Sequence, residues 1–216
     1  MSNTNLTELV FILDRSGSMY GCEAQTIQGY NRILTEQKRN PEHALVTTVL
    51  FDDQIEIVHD RRPINRVEKL TNKTYFTRGS TALYDAVGKT IQSLVYVYKN
   101  TPEAKQPHKV IFVIITDGYE NASCEFNVRE VSDMIKLERD VYHWDFMFLG
   151  ANIDSAQCAE NIGIDRNCAA DFDTDGDGMD NVMHGISEVI DKRRYENCEL
   201  KAAMSPAWRK NIRRRN

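Results

Sequence analysis

Two short and almost uninterrupted apolar runs constrain the fold more than any other feature of this chain: ALVTTVLF at 44–51 and KVIFVIIT at 109–116. Both have the length of a strand and are rich in β-branched residues. Neither alternates between polar and apolar residues, so both faces of each strand are expected to be buried. Strands of this kind are typical of parallel sheets that helices cover on both sides.

Helical patterns separate these runs from the other strand candidates. Four segments carry apolar residues at helical spacing: 24–38, 81–98, 127–139 and a last helix from about 179. The other strand candidates are ELVFIL (8–13), IEIVHD (55–60), WDFMFLG (144–150) and, at an edge, CAADF (168–172). A tight turn at 52–54 predicts a hairpin and therefore one antiparallel strand. The alternation predicts an α/β fold with a doubly wound, mostly parallel sheet flanked by helices and one antiparallel edge strand.

The charge distribution divides the chain unevenly. Its 216 residues suit one domain with an extension, and the formal net charge of −5 argues against a general nucleic-acid binder. We place the domain at 1–200 and a basic tail at 201–216, where six Lys or Arg residues occur without an acid. Such a tail is typical of a frayed, solvated end, and it is the one segment expected to meet nucleic acid.

Composition also bears on the compartment. No run approaches the roughly 18 apolar residues of a membrane span, and the N-terminus lacks the basic region of a signal peptide. The five cysteines are scattered without a CxxC pair, as in proteins whose thiols stay reduced. We therefore expect a cytoplasmic protein that does not engage a membrane.

Acids and hydroxyls follow the strands. Asp14 directly follows the first strand candidate, and Asp117 follows the most apolar one. Because ligands of doubly wound sheets bind beyond the carboxyl ends of the strands, where the winding reverses, both acids are expected at that crevice. Ser16 and Ser18 follow the first acid, and a Gly-Ser-Thr turn ends at Thr81. Three segments thus deliver two carboxylates and several hydroxyls to one edge.

An all-oxygen ligand set suits a hard cation, whereas soft metals favour cysteine or histidine. Mg²⁺ prefers six oxygen ligands and keeps some waters. Two carboxylates neutralise its charge, while hydroxyls add ligands without adding charge. The ion then remains electrophilic enough to take a carboxylate from outside.

Other interpretations stay open at this point. Asp14, Ser16 and Ser18 also suit a helix cap and a turn. An aspartyl phosphatase of the haloacid dehalogenase type begins with the same strand and acid, but it needs a second acid where Ser16 stands. A serine hydrolase needs G-x-S-x-G and a histidine after a strand, and the chain has neither in place. A metal-assisted phosphatase or hydrolase using Asp14 or Ser16 is therefore the rival class.

Three stretches also resemble one known family. LDRSGSM (13–19), RGSTALYDA (78–86) and VIITDGYEN (113–121) are similar to the three parts of the metal-ion-dependent adhesion site, or MIDAS, of von Willebrand factor type A (vWA) domains. They occur in the family's order. The similarity spans roughly residues 7–195 and is strongest to the stand-alone bacterial cytosolic members. The resemblance implies a Rossmann-like fold and a binding module, because most members are not enzymes.

The resemblance also implies a role for each motif residue. Ser16, Ser18 and Thr81 would ligate Mg²⁺, or alternatively Mn²⁺, through their hydroxyls. Asp14 and Asp117 would approach the ion directly or through water. A Glu or Asp of a partner protein would complete the shell. The expected function is therefore Mg²⁺-dependent protein–protein interaction through an acidic residue of the partner, and a structural domain with an unused site is the remaining alternative.

Residues around the motifs admit two interpretations each. Asp85, one helical turn past Thr81, is either an acceptor that orients the hydroxyls around the metal or a first-turn acid favoured by the helix dipole. Arginine and tyrosine are common in interfaces, so four flanking residues are either a rim that contacts the partner or ordinary loop residues: Arg15, Tyr20, Arg78 and Tyr119.

A second acidic segment starts like an EF-hand calcium loop. Asp173, Asp175 and Asp177, followed by Gly178, match its first positions. The twelfth position, which requires a bidentate glutamate, is His184. We therefore favour an acidic loop that caps the last helix over a Ca²⁺ site.

Overall fold

A computed structural model describes residues 6–39, 43–174, 176–196 and 198–212 of the chain. Its strands are β1 (Thr7–Asp14), β2 (Ala44–Phe51), β3 (Ile55–Pro63), β4 (Lys109–Thr116), β5 (Asp145–Gly150) and β6 (Ala169–Asp171). They form a single sheet in the order β3-β2-β1-β4-β5-β6. Only β3 runs antiparallel to its neighbour. The predicted α/β fold with one antiparallel edge strand is therefore confirmed.

Helices cover this sheet in two groups. They are α1 (Glu23–Gln37), α2 (Leu83–Lys99), α3 (Val128–Tyr142), α4 (Ser155–Asn161), α5 (Gly176–Tyr195), α6 (Leu200–Ala203) and α7 (Pro206–Asn211). Helix α1 packs against α5, and α2 packs against α3. Gly29 permits the close approach of α1 and α5, because a Cβ there would come within 2.2 Å of Met183 Cγ.

The position of β1 explains where a ligand site forms. This strand lies at the centre of the sheet, between β2 and β4. The chain leaves β1 through α1 toward one edge and later crosses back through α2 to β4 on the other side. Right-handed crossovers in opposite directions place α1 and α2 on opposite faces. The winding therefore reverses between β1 and β4, and their carboxyl ends flank the crevice.

The two central strands are the most deeply buried elements. Every residue of β1 is buried, and so is every residue of β4 after Lys109. Coverage of both faces is the reason that their sequences show no alternation. Each fully buried aliphatic side chain contributes roughly 1.5–3 kcal/mol to stability. The strands thus hold Asp14 and Thr116, their last residues, on rigid supports.

The C-terminal segment is not the solvated tail expected over 201–216. Trp208 and Ile212 are buried in the core. The indole nitrogen of Trp208 donates a hydrogen bond of 3.2 Å to the carbonyl of Gly185 in α5. The basic residues concealed these apolar anchors, so the packed unit continues past the predicted boundary at 200 as far as 212. Residues 213–216 lie outside the described part.

The second acidic segment is helical. Helix α5 begins at Gly176 and continues beyond His184, so most of a twelve-residue calcium loop would have to be helical. Asp177 is a first-turn acid of α5, where it complements the helix dipole. Asp173 precedes the helix, and Asp175 is not among the described residues. Within the described chain, no helix is both long and apolar enough to cross a bilayer.

Candidate metal centre

The site begins with a contact between the two central strands. The register pairs Leu13 of β1 with Ile115 of β4, so Asp14 and Thr116 follow side by side. The Thr116 hydroxyl donates a hydrogen bond of 2.6 Å to Asp14 Oδ2. The backbone N–H of Ser16 donates one of 2.6 Å to Asp14 Oδ1. Both carboxylate oxygens are thereby oriented in a fully buried position.

The electrostatics favour a cation between the two acids. Burial raises the pKa of Asp14 from 3.8 to about 6, and the negative charge of Asp117 adds to this effect, although hydrogen bonds from Thr116 and Ser16 oppose it. Burial also raises the pKa of Asp117. Two buried carboxylates that repel each other are stabilised when a divalent cation supplies the missing charge.

Hydroxyls from two of the three segments meet beside Gly118. The Ser16 and Ser18 hydroxyl oxygens lie 3.0 Å apart. A Cβ added to Gly118 would lie 3.1 Å from Ser18 Oγ and 3.4 Å from Thr81 Oγ1. All three sequence segments therefore converge, and the glycine leaves the space in front of the hydroxyls open.

Asp117 provides the test of whether these residues suit a metal ion. Its side chain is buried, and neither oxygen has a hydrogen-bond partner in the described part of the chain. The nearby Ser18 hydroxyl only partly offsets the effect of burial on its pKa, and no donor reaches either oxygen in hydrogen-bond geometry. Buried carboxylate oxygens are rarely left without a partner. The oxygen-only donor set therefore fits a hard cation that Asp117 would face.

The site differs from metal centres built on charged ligands. Among the described residues no cluster of three or more His, Cys, Asp or Glu side chains is suited to hold a metal ion. The candidate site contains two carboxylates, Asp14 and Asp117, and its remaining oxygens belong to hydroxyl groups. A metal here would depend on neutral ligands from Ser16, Ser18 and Thr81.

Comparison with protein families agrees with this geometry. Residues 8–184 match the model of the von Willebrand factor type A domain. The chain belongs to this family. The match ends within α5, so the rest of that helix, α6 and α7 lie beyond the segment that the family model covers. No curated protein matches the chain.

Solved structures with the same fold are only distantly similar in sequence. The pilus adhesin SpaC from Lactobacillus rhamnosus GG has a TM-score of 0.68 at 13% identity, over 89% of this chain and 31% of that one. The minor pilin PilB from Streptococcus sanguinis has a TM-score of 0.62 at 10% identity, over 91% and 64%. Proximal thread matrix protein 1 from the mussel byssus, with a zinc-occupied MIDAS motif, has a TM-score of 0.58 at 16% identity, over 86% and 46%. This chain spans less than two thirds of each.

The Thr81 segment of this vWA domain is held by residues after β4. The side-chain oxygen of Asn121 accepts a hydrogen bond of 2.9 Å from the Thr81 N–H, and the Thr81 carbonyl accepts one of 3.0 Å from the Asn121 N–H. Glu120 accepts hydrogen bonds from the backbone N–H groups of Tyr84, Ala122 and Ser123. Neither role is evident from the local sequence pattern, although the two residues directly follow the Asp-Gly-Tyr of the third motif.

Asp85 does not orient the metal-site hydroxyls. Its carboxylate accepts hydrogen bonds of 2.7–2.9 Å from the backbone N–H groups of Cys124, Glu125 and Phe126. Burial would raise the pKa of Asp85, but these hydrogen bonds outweigh it and lower the pKa. The spacing to Thr81 was a misleading signal, because the side chain joins α2 to the loop before α3.

Two of the four residues predicted to form a partner rim are well exposed. Tyr20 and Tyr119 are 82% and 59% exposed, so their rings are available to a partner. Arg15 is not: it is fully buried, and its guanidinium is paired with Asp52. Its place between Asp14 and Ser16 in the sequence suggests a rim residue, but the side chain instead contacts Asp52 and Glu56. Arg78 also pairs with Asp52 at 2.6 Å while its side chain stays 40% exposed.

Proposed function

We propose that this vWA domain is a Mg²⁺-dependent protein-interaction module, with Mn²⁺ as an alternative ion. The observation that carries the proposal is the buried Asp117 carboxylate, whose two oxygens have no partner in hydrogen-bond geometry among the described residues, at the place where the Ser18 and Thr81 hydroxyls meet. Asp14, Ser16, Ser18, Thr81 and Asp117 would hold the ion directly or through water. The bound metal would supply a Lewis-acidic position for an outside carboxylate.

The partner is an acidic protein segment. With neutral hydroxyls as most of its ligands, the ion remains electrophilic enough to attract a Glu or Asp side chain. Ser18 is exposed, whereas Ser16, Thr81 and Asp117 are buried, so an incoming carboxylate would approach from the Ser18 side. Tyr20, Tyr119 and the exposed part of Arg78 would contact the partner around that point. The zinc-occupied MIDAS in the mussel thread protein, which shares the fold, supports metal binding at this edge.

The same geometry argues against catalysis. Both oxygens of Asp14 already accept hydrogen bonds, which makes this carboxylate a poor nucleophile. The hydroxyl partner of Ser16 is Ser18, and in the described part of the chain no imidazole hydrogen-bonds to either serine. Ser16 therefore lacks the histidine that commonly serves as the general base of a serine hydrolase. We propose a non-enzymatic role, in the cytoplasm of a bacterium, on the basis of the scattered cysteines and the family resemblance.

Metal titration tests the proposal directly. Calorimetry of the wild-type protein with Mg²⁺ and Mn²⁺ should give saturable binding and a rise in Tm, whereas Asp14→Ala should remain folded and give neither. A pull-down in Mg²⁺ and in EDTA should then recover partners only with the metal. If wild-type protein shows no response to either cation, the domain has an unused site and the proposal fails. Turnover of generic phosphoesters would instead support the rival enzyme class.

A further inference from the structure

A buried carboxylate lies at the junction of two metal-site segments. Asp52, in the turn between β2 and β3, has no exposed surface. Its Oδ2 accepts hydrogen bonds from Nε of Arg15 at 2.9 Å and from Nε of Arg78 at 2.6 Å. Its Oδ1 accepts one of 2.6 Å from the backbone N–H of Gln54. One carboxylate therefore joins the Asp14–Ser18 segment to the segment that leads to Thr81.

Backbone hydrogen bonds repeat the same connection. The Arg78 N–H donates to the Arg15 carbonyl at 2.8 Å, and the Ala82 N–H donates to the Asp52 carbonyl at 2.9 Å. The Gly17 N–H donates to the Gly79 carbonyl at 3.1 Å. Thr81 lies between two of these anchored positions, and Ser16 and Ser18 flank a third.

The surroundings of Gly79 show how closely the segment that leads to Thr81 passes the turn at 52–54. Its φ of +65° favours glycine, and a Cβ there would come within 2.1 Å of Asp53 Oδ1 and 3.3 Å of Asp52 Cβ. The loop that carries Thr81 thus runs directly over the turn at 52–54. The position of the Thr81 hydroxyl therefore depends on the turn at 52–54.

The charges around Asp52 hold one another in place. Arg15 is buried, carries a permanent charge and reaches Glu56 with a second nitrogen at 2.7 Å. The guanidinium carbons of Arg15 and Arg78 lie 5.7 Å and 5.5 Å from the centre of the Phe76 ring. Loss of the counter-charge of a buried arginine strongly destabilises the folded state, so Asp52 fixes Arg15. The contact of 2.6 Å with Asp52 also holds the partly exposed Arg78.

We propose that Asp52 is a positioning residue for the metal site: it sets the affinity for the cation by holding the Ser16–Ser18 hydroxyls and the Thr81 hydroxyl in register. It contacts no ligand atom itself. The inference rests on the proposed function, since it concerns the same metal site. Arg15, which the sequence suggested as a partner contact, acts in this cluster as the link between Asp52 and β1.

The physical reason lies in the neutral ligands. A hydroxyl brings no charge to the ion, so its contribution depends on how well it is placed before the metal arrives. Residues that orient metal ligands typically change affinity by about 10- to 100-fold when they are replaced. Asp52 orients hydroxyls from two segments at once, through Arg15 and Arg78.

The chain contains a matched control for this carboxylate. Glu8 lies near the amino end of β1, the strand that ends at Asp14. It is also buried and accepts a hydrogen bond of 2.9 Å from Nε of Arg61. Its replacement removes a comparable arginine contact at the edge of the sheet opposite the metal site. Asp52→Asn and Glu8→Gln therefore separate loss of stability from loss of metal-site geometry.

The experiment measures the Kd for Mn²⁺ by calorimetry and the Tm in EDTA for wild type, Asp52→Asn, Arg78→Gln, Arg78→Lys and Glu8→Gln. We expect both Asp52→Asn and Arg78→Gln to weaken Mn²⁺ binding by about 10-fold or more. Arg78→Lys should recover part of the affinity because it keeps a cation beside Asp52. Glu8→Gln should lower the Tm and change the Kd less than about two-fold.

The variant Arg78→Gln keeps the test valid if Asp52→Asn fails to fold. Arg78 is partly exposed, and Asp52 retains its ion pair with Arg15 in this variant. If folded Asp52→Asn and Arg78→Gln bind Mn²⁺ as wild type does, the inference is overturned while the metal site stands. A Kd that changes equally in Glu8→Gln also overturns it, since the effect would then follow general stability. Absence of binding in the wild type refutes the proposed function instead.

Discussion

The Thr116 hydroxyl donates a hydrogen bond of 2.6 Å to the Asp14 carboxylate, across the ends of the two central strands. The contact joins β1 and β4 at the point where the winding of the sheet reverses. It keeps one oxygen of a desolvated acid satisfied before any metal binds. Thr116 therefore prepares the site, although no part of the sequence pattern marks it as more than the last strand residue.

Replacing Thr116 by valine should destabilise the metal-free protein. The change preserves side-chain shape but leaves a buried Asp14 oxygen without its donor, which typically costs about 1–3 kcal/mol. Urea unfolding in EDTA measures the loss. Thr90→Val is the control, because the buried Thr90 hydroxyl donates its hydrogen bond to the Ala86 carbonyl of its own helix. Equal effects of the two substitutions would contradict the special role of Thr116.

The metal-free protein should lose stability through Asp14 as the pH rises. The folded pKa of about 6 exceeds the ordinary 3.8, so the folded state holds this proton more tightly than the unfolded chain does. The resulting stabilisation is present in full below a pH of about 4 and is lost as the pH passes through about 6. Asp14→Asn removes this dependence, so at pH 7 it should gain roughly 2–3 kcal/mol relative to wild type.

Urea unfolding in EDTA across this pH range measures the difference between Asp14→Asn and wild type. Comparing the two proteins cancels the titration of groups that they share. The free-energy difference should grow in favour of the variant between pH 4 and 7. A constant difference across that range would show that burial does not raise the pKa of Asp14.

Gly118 should not tolerate a side chain, because the hydroxyls of Ser18 and Thr81 lie too close to its Cα. A Cβ at this position would crowd Ser18 Oγ at 3.1 Å and Thr81 Oγ1 at 3.4 Å. Gly118→Ala is therefore expected to weaken Mn²⁺ binding by about 10-fold, as measured by calorimetry. Gly17→Ala is a control within the same site, since its Cβ would meet only the Gly79 carbonyl at 3.4 Å. Similar Kd values for both variants and wild type would contradict this account.

The sequence sufficed for features that depend on the ends of strands. Buried parallel strands read as continuous apolar runs, so Asp14 and Asp117 could be assigned to one edge without knowing any contact. Arg15 and Asp85 could not be assigned, because their roles depend on Asp52 and on the 124–126 backbone, which lie about 40 residues away in the chain. Local spacing contains no information about such partners.

The exposed tyrosines should affect partner binding and leave the metal site intact. Tyr20→Ser and Tyr119→Ser are expected to reduce Mg²⁺-dependent recovery of the partner in a pull-down, with unchanged Kd for Mn²⁺. Interface aromatic residues often contribute 2 kcal/mol or more, which corresponds to roughly a 30-fold loss. Tyr96→Ser, at a 72% exposed tyrosine on α2, is the matched control. A loss in the control as large as in the other two would exclude a specific rim.

Trp208 should contribute to stability even though it lies in the most basic segment of the chain. It is 6% exposed and packs over Gly185, with its indole nitrogen bonded to the Gly185 carbonyl. Removing a buried aromatic side chain typically costs about 3–5 kcal/mol, so Trp208→Ala should lower the urea midpoint strongly. Lys210→Ala, which removes an exposed charge of the same helix α7, should have little effect. A solvated tail would make both substitutions neutral, and that result would contradict the packing of α7 on α5.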